Sequence, residues 1–191
     1  MYKSLIASLF LILLTSSSIF FILHIGINST EEDQNHLNGY MKNAVYSQYD
    51  KEGQLMLHLS SPTVRHFSLK NNAEFEKPDI LIYNGKKIPW HITALYGKNS
   101  TDNNLVDLWD QVVIHRAAAD GQPETTIRTT ALTINLKEQV AETNQAATIT
   151  QPHSVVQSIG LKTDFKSGIT QLAAHARVDY DGEGESQGSE P

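Results

Sequence analysis

The apolar positions of the chain follow two different rules. From Ser4 to Ile27 they run almost unbroken, with no Asp, Glu, Lys or Arg among them: Leu5-Ile6, Leu9-Phe10-Leu11-Ile12-Leu13-Leu14 and Ile19-Phe20-Phe21-Ile22-Leu23. As a helix this run spans about 36 Å, enough to cross a hydrocarbon core of roughly 30 Å. It is longer than the apolar part of a secretory signal, and no small-residue cleavage site precedes Asn28, so an uncleaved transmembrane helix over 4–27 is predicted. Lys3 and the α-amine flank one end, and Glu31, Glu32 and Asp33 flank the other. The positive-inside rule then keeps residues 1–3 in the cytoplasm and sends the body outward.

From Tyr40 onward the period changes to two. Leu55, Leu57 and Leu59 alternate with Met56, His58 and Ser60; Trp90, Ile92 and Ala94 alternate with His91, Thr93 and Leu95. Val112 and Ile114 repeat the pattern, as do Leu132, Ile134 and Leu136. Half-buried strands read this way, and the frequent Thr, Val and Ile suit them. Turn signals separate the runs: Asp50-Lys51-Glu52-Gly53, Asn84-Gly85, Gly97-Lys98-Asn99, Asp120-Gly121 and Lys166-Ser167-Gly168. Asn84-Gly85 is the strongest hairpin candidate, because both residues tolerate positive φ.

A faint repeat of roughly 35 residues underlies these strands. Ile92-Thr93-Ala94-Leu95 leads through a polar turn to Trp109–Ile114, and Thr129-Thr130-Ala131-Leu132 leads to Thr143–Ile149. An earlier copy runs from Leu59-Ser60-Ser61 to Phe75-Glu76-Lys77-Pro78. Each unit reads as a strand, a turn and a returning strand. Stacked hairpins with one apolar face form two facing sheets or one rolled sheet. The expected layout is a polar linker over 28–39, an all-β domain over 40–180 and a disordered acidic tail over 181–191.

Composition narrows the chemistry. The net charge of −6 in 191 residues owes much to the tail, and no basic stripe offers itself to phosphates, so nucleic acid is not an expected partner. There is no cysteine, hence no disulfide framework, thiolate site or cysteine nucleophile. The eight histidines include no H-x-H or H-x-x-x-H pair, so no metal site is expected. Glu31-Glu32 lies in the linker, and Glu74 and Glu76 share the polar face of one strand. Nucleophile-elbow, phosphate-loop and dinucleotide motifs are missing, so neither an enzyme nor a cofactor is expected. The apolar stripe remains, and periodicity alone leaves it either plain core or the lining of a channel for an apolar ligand.

The stretch Tyr49-Asp50-Lys51-Glu52-Gly53-Gln54-Leu55, continuing to Val64-Arg65-His66-Phe67, resembles the opening of the LptC family. Those proteins are the bitopic inner-membrane components of lipopolysaccharide export. Phe75-Glu76-Lys77-Pro78, Trp90-His91-Ile92-Thr93-Ala94, Leu108–Ile114, Thr129–Leu136 and Ser158-Ile159-Gly160-Leu161 follow in the family's order. Asp110 stands where the family usually has glycine, and Asp tolerates the left-handed region better than most residues.

The resemblance implies a twisted, open β-jellyroll of antiparallel strands whose interior carries acyl chains. It implies lipopolysaccharide as cargo, and as partners the membrane subunits of an ABC transporter, the periplasmic bridge protein LptA and the inner membrane itself. Phe75, with Glu74 and Glu76 facing out beside it, is the leading lipid-contact candidate. Trp90, Ile92, Leu108, Val112, Ile114, Leu132, Ile134 and Ile149 are the other wall candidates. Gly160, Leu161 and Val178 are candidates for the joint with the bridge protein. The competing expectation is a membrane-tethered scaffold that docks partners without binding lipid.

Overall fold

A computed structural model describes residues 37–67, 72–85, 88–100, 104–119 and 121–180. The expected membrane helix over 4–27, most of the expected linker and the expected acidic tail lie outside the described residues. Among the described residues there is no helix, and so none long and apolar enough to cross a membrane.

The described residues form one antiparallel sheet of eleven strands. They are β1 (Leu37–Tyr49), β2 (Leu55–Phe67), β3 (Asn72–Glu76), β4 (Asp79–Ile82), β5 (Trp90–Thr93), β6 (Tyr96–Ser100), β7 (Leu105–Arg116), β8 (Thr125–Asn135), β9 (Val140–Gln151), β10 (Ser154–Asp164) and β11 (Thr170–Tyr180). The long strands β7 to β11 follow one another as a meander. Between β2 and β7 the four short strands share two places. β4 and β5 bridge one half of these neighbours, and β3 and β6 bridge the other half.

This division exposes a line that crosses the long strands near mid-length and passes between β3 and β4 and between β5 and β6. The chain takes positive φ there at Asn43, Lys77, Asp110, Gln111, Gly160 and His175. The ladders slip at the same line, between Trp109 and Val112, Thr129 and Thr133, and Ile159 and Leu161. Inward parity slips with them. Leu57, Leu59 and Ser61 are buried, and burial resumes at Val64; Ile127 and Thr129 are buried, and burial resumes at Leu132. A step of three in place of two keeps the apolar side inward after a corner. One core cluster joins residues from both sides of the line, among them Ile80, Ile92 and Ile127 on one side and Val106, Ile134 and Phe165 on the other. A flat sheet could not bring these together. The sheet is therefore folded along the line with its apolar faces together, consistent with the β-jellyroll that the resemblance implies.

A corner interrupts the ladder, and buried hydroxyls repair it. Ser61 Oγ donates to Glu76 O and to Thr63 O, both at 2.7 Å. Thr129 Oγ1 lies 3.0 Å from Ala146 O, and Ser158 Oγ lies 3.2 Å from Gly160 O. Main-chain bonds step across the same line, from Lys77 N to Leu95 O and from Leu95 N to Asp110 O. Asp110 holds φ at 61°, so the bulge survives the replacement of the family's glycine.

Several sequence expectations change. Gly97-Lys98-Asn99 is not a turn but part of β6. Gly97 is there for close approach: a Cβ would come within 2.7 Å of Leu108 Cδ2 and 3.3 Å of Pro78 Cγ. Gly85 has positive φ, yet it lies in a connection running from Ile82 to Trp90, too long for a two-residue hairpin. β1 begins at Leu37, inside the stretch read as linker. The 35-residue repeat does not mark stacked hairpins. Its copies fall on the corners at Ser61, Lys77, Ala94, Asp110, Thr129 and Thr143, so what recurs is the bend.

Thr129→Val keeps the shape of this corner and removes its hydroxyl. The expected loss is about 1–3 kcal/mol of unfolding free energy, measured by denaturant titration, with an unchanged strand signal in circular dichroism.

Candidate functional site

The inner face of the folded sheet is the one place where the alternation converges. Phe75, Trp90, Ile92, Leu108, Val112, Ile114, Leu132, Ile134 and Ile149 are all buried there, and all belong to the same core cluster. Phe75 points inward, while Glu74 and Glu76 reach Arg65 on the outer face at 3.7 and 3.4 Å. Of the nine, Trp90 and Ile149 also line an open cavity. Gly160 and Leu161 lie on β10, one strand inside the sheet edge, and Val178 lies on the edge strand β11. Gly160 has φ +79°, and a Cβ there would meet Ala173 Cβ at 2.9 Å, so its immediate neighbour is β11 of its own chain.

The inner face continues past the core at both ends of the sheet. On β1, Tyr46 pairs with inward Leu59 and Met41 with inward Val64. Their side chains therefore share the inner face, yet they are 56% and 49% exposed. On β11, Leu172 pairs with Leu161 and Val178 with Val156, and both remain exposed. Among the described strands β1 pairs only with β2 and β11 only with β10, so each presents a backbone edge that no described strand covers. An apolar lining and a free ladder thus coincide at both ends.

The side opposite the bend is latched at its middle. Trp90 packs on Phe165 with ring centroids 5.3 Å apart, and its Nε1–H donates to Phe165 O at 3.1 Å. Asn84 Nδ2 donates to the same carbonyl. Gln139 Nε2 donates to Tyr83 O at 3.3 Å, while Phe165 N donates to Gln139 O at 2.9 Å. Towards β11, past the latch, lies an open cavity of about 260 Å³, walled by Trp90, Ile149, Val156 and Leu172 and by polar Arg116, Thr125 and Gln151. Arg116 stands over the Trp90 ring, its Cζ 5.3 Å from the centroid.

Sequence reasoning named Val178 on β11, but did not single out Arg116, Phe165, Leu172 or the β1 lining. Arg116 had a signal, since it continues the parity of Val112 and Ile114. Phe165 likewise follows Leu161 and Thr163. β1 had none that could be read, because its inward residues, Leu37, Met41, Ala44 and Tyr46, step irregularly around Asn43.

No group of metal-ligating side chains occurs among the described residues. The histidines there lie near the surface: His91 faces Asp79 at 3.1 Å and His115 faces Glu124 at 2.9 Å. The geometry defines a β-domain with an apolar interior, open at two ends and extensible there by strand pairing.

Residues 5–181 match the family described as lipopolysaccharide-assembly, LptC-related. The chain belongs to that family and is a component of lipopolysaccharide transport. Among solved structures it resembles LptH from Pseudomonas aeruginosa, the LptA-homologous periplasmic component of that organism's lipopolysaccharide transport device. The TM-score is 0.50 at 11% identity, over 64% of this chain and 92% of LptH, a likeness of fold. No curated protein sequence matches the chain.

The turn that carries Phe165 is held by Asp164, whose carboxylate accepts from Ser167 N at 2.9 Å and Lys166 N at 2.8 Å. The Ser167 bond chiefly, then the Lys166 bond, holds its carboxyl below the ordinary value of 3.8. With the folded value depressed, its contribution is present above that ordinary value and is lost as pH falls through the folded one. Asp164→Asn keeps an acceptor that does not titrate. The stability difference between wild type and variant should therefore shrink on acidification from about pH 6 to about pH 2, followed by denaturant titration.

Proposed function

We propose that this chain is a non-enzymatic carrier that takes lipopolysaccharide from the membrane subunits of an ABC transporter and passes it to the bridge protein LptA. Residues 4–27 hold it in the inner membrane with 1–3 in the cytoplasm. Residues 28–36 lead out of the membrane and 37–180 carry the periplasmic jellyroll, with 181–191 as an acidic tail. The observation that carries this reading is the uncovered apolar lining on both edge strands. A self-sufficient domain buries such residues, whereas a segment of a longer conduit leaves them for its neighbours.

Transport along this face needs no bond chemistry. Each acyl CH₂ removed from water gains about 0.8 kcal/mol, and the gain is nearly the same at successive apolar positions, so chains slide without a deep trap. β1 receives from the transporter side and β11 delivers, each adding a partner strand to its open edge. Val178 then meets the bridge protein directly, while Gly160 and Leu161 seat β11 from behind. Phe75 and the other buried wall residues contact acyl chains when the two half-sheets part. Trp90 and Ile149 already face the open cavity. LptH, the solved structure with a similar fold, is itself a periplasmic part of a lipopolysaccharide transport device, which supports the assignment.

A photo-crosslinking residue at position 75, 46 or 178 should capture lipopolysaccharide in the working complex. The same residue at outward position 65 or 177 should not. No capture from any inward position, with the chain folded and in its complex, leaves only the scaffold reading.

A further inference from the structure

Arg116 ends β7 on the inner face and is 4% exposed. Its Nη2 is buried with no hydrogen-bond partner. The ion pairs among the described residues involve Arg65, His91, His115, Lys162 and Arg177, but not Arg116. Among the described residues, its favourable polar contact is with the face of Trp90. A cation over an aromatic ring recovers only part of what a buried charge loses in leaving water. Buried charges normally have a counter-ion, and none of the described residues supplies one here.

Arg116 lines the cavity of about 260 Å³. One wall is apolar, built from Ile149, Val156 and Leu172. Thr125 and Gln151 add hydroxyl and amide groups, with Gln151 Nε2 donating to Thr125 Oγ1 at 3.0 Å. The site therefore offers a planar, permanently charged fork beside an apolar wall. That combination matches an amphiphile whose anionic group joins directly onto acyl chains.

We propose that Arg116 is a headgroup subsite, which binds a phosphoryl group of a glycolipid whose acyl chains lie along Ile149, Val156 and Leu172. This rests on the carrier reading above and adds a polar register to it. The apolar face lets the chains slide, and the buried cation gives one position where the headgroup pauses beside β11. The alternative source of the same chemistry is free phosphate.

The test uses the full chain in non-ionic detergent with Trp109→Phe. The chain has two tryptophans, so Trp90 beside Arg116 becomes the sole reporter. Three probes are titrated: phosphorylated lipid A, the same glycolipid with its phosphates removed, and inorganic phosphate. Phosphorylated lipid should bind at least tenfold more tightly than dephosphorylated lipid. Arg116→Gln should abolish that preference while leaving the affinity for dephosphorylated lipid unchanged, and Arg116→Lys should keep part of it. The unchanged affinity also reports that the variant is folded. Equal binding of the two lipids, or a preference that survives Arg116→Gln, overturns the proposal. Saturation by inorganic phosphate as tightly as by phosphorylated lipid overturns the headgroup assignment in favour of a free-anion site. Failure of both lipids to bind sinks the carrier reading, and this one with it. Equal binding of both lipids removes only the subsite.

Discussion

A strand that turns a corner must break its ladder, and a broken ladder inside an apolar core leaves carbonyls and amides without partners. Each unpaired group costs about 1–3 kcal/mol, so a sheet folded across all its strands is unaffordable unless every corner is repaired. This chain repairs them with short hydroxyl side chains at Ser61, Thr129 and Ser158, and with main-chain bonds from Lys77 and Leu95. Positive φ at Asp110, Gln111 and Gly160 turns the backbone, and the three-residue step in parity brings the next apolar side chain inward again. Everything else follows from that line. Without it the two half-sheets could not face each other, and Trp90 could not meet Phe165.

The same fold leaves its ends unfinished. Among the described residues, β1 and β11 have inner faces with no facing strand and backbones with no second partner. Long free edges of this kind invite association, and soluble proteins usually blunt them. Here the exposed lining at Met41, Tyr46, Leu172 and Val178 is continuous in parity with the core. On the proposed reading the two ends are sites of extension in a transport line, in keeping with the chain's place in the LptC family.

The alternation made the strands and the inward residues legible, because period two is a local property. The corners were half legible. Ser61, Ala94, Thr129 and Asp110 recurred visibly, but a small polar residue in an apolar run resembles a turn until the pairing partner is known. Gly97 misled for the same reason: its glycine serves a close approach to Leu108, a contact with a strand yet to come. Wall residues could be named, but not divided between packed core and open lining, since that depends on which strand ends the sheet. The latch joins residues far apart in sequence, Asn84 and Trp90 with Phe165, and no short-range pattern encodes it.

The central claim is that the inner face, from β1 to β11, is the lipid-carrying surface. Methyl-resolved NMR of the full chain in detergent, titrated with lipopolysaccharide, reads both faces at once. The account predicts shifts confined to inward methyls such as Met41, Ile149, Val156, Leu172 and Val178. Outward Val113, Val155 and Ile159, paired across the same strands, should stay unmoved. Shifts centred on the outward set, with the inward methyls silent, would contradict it.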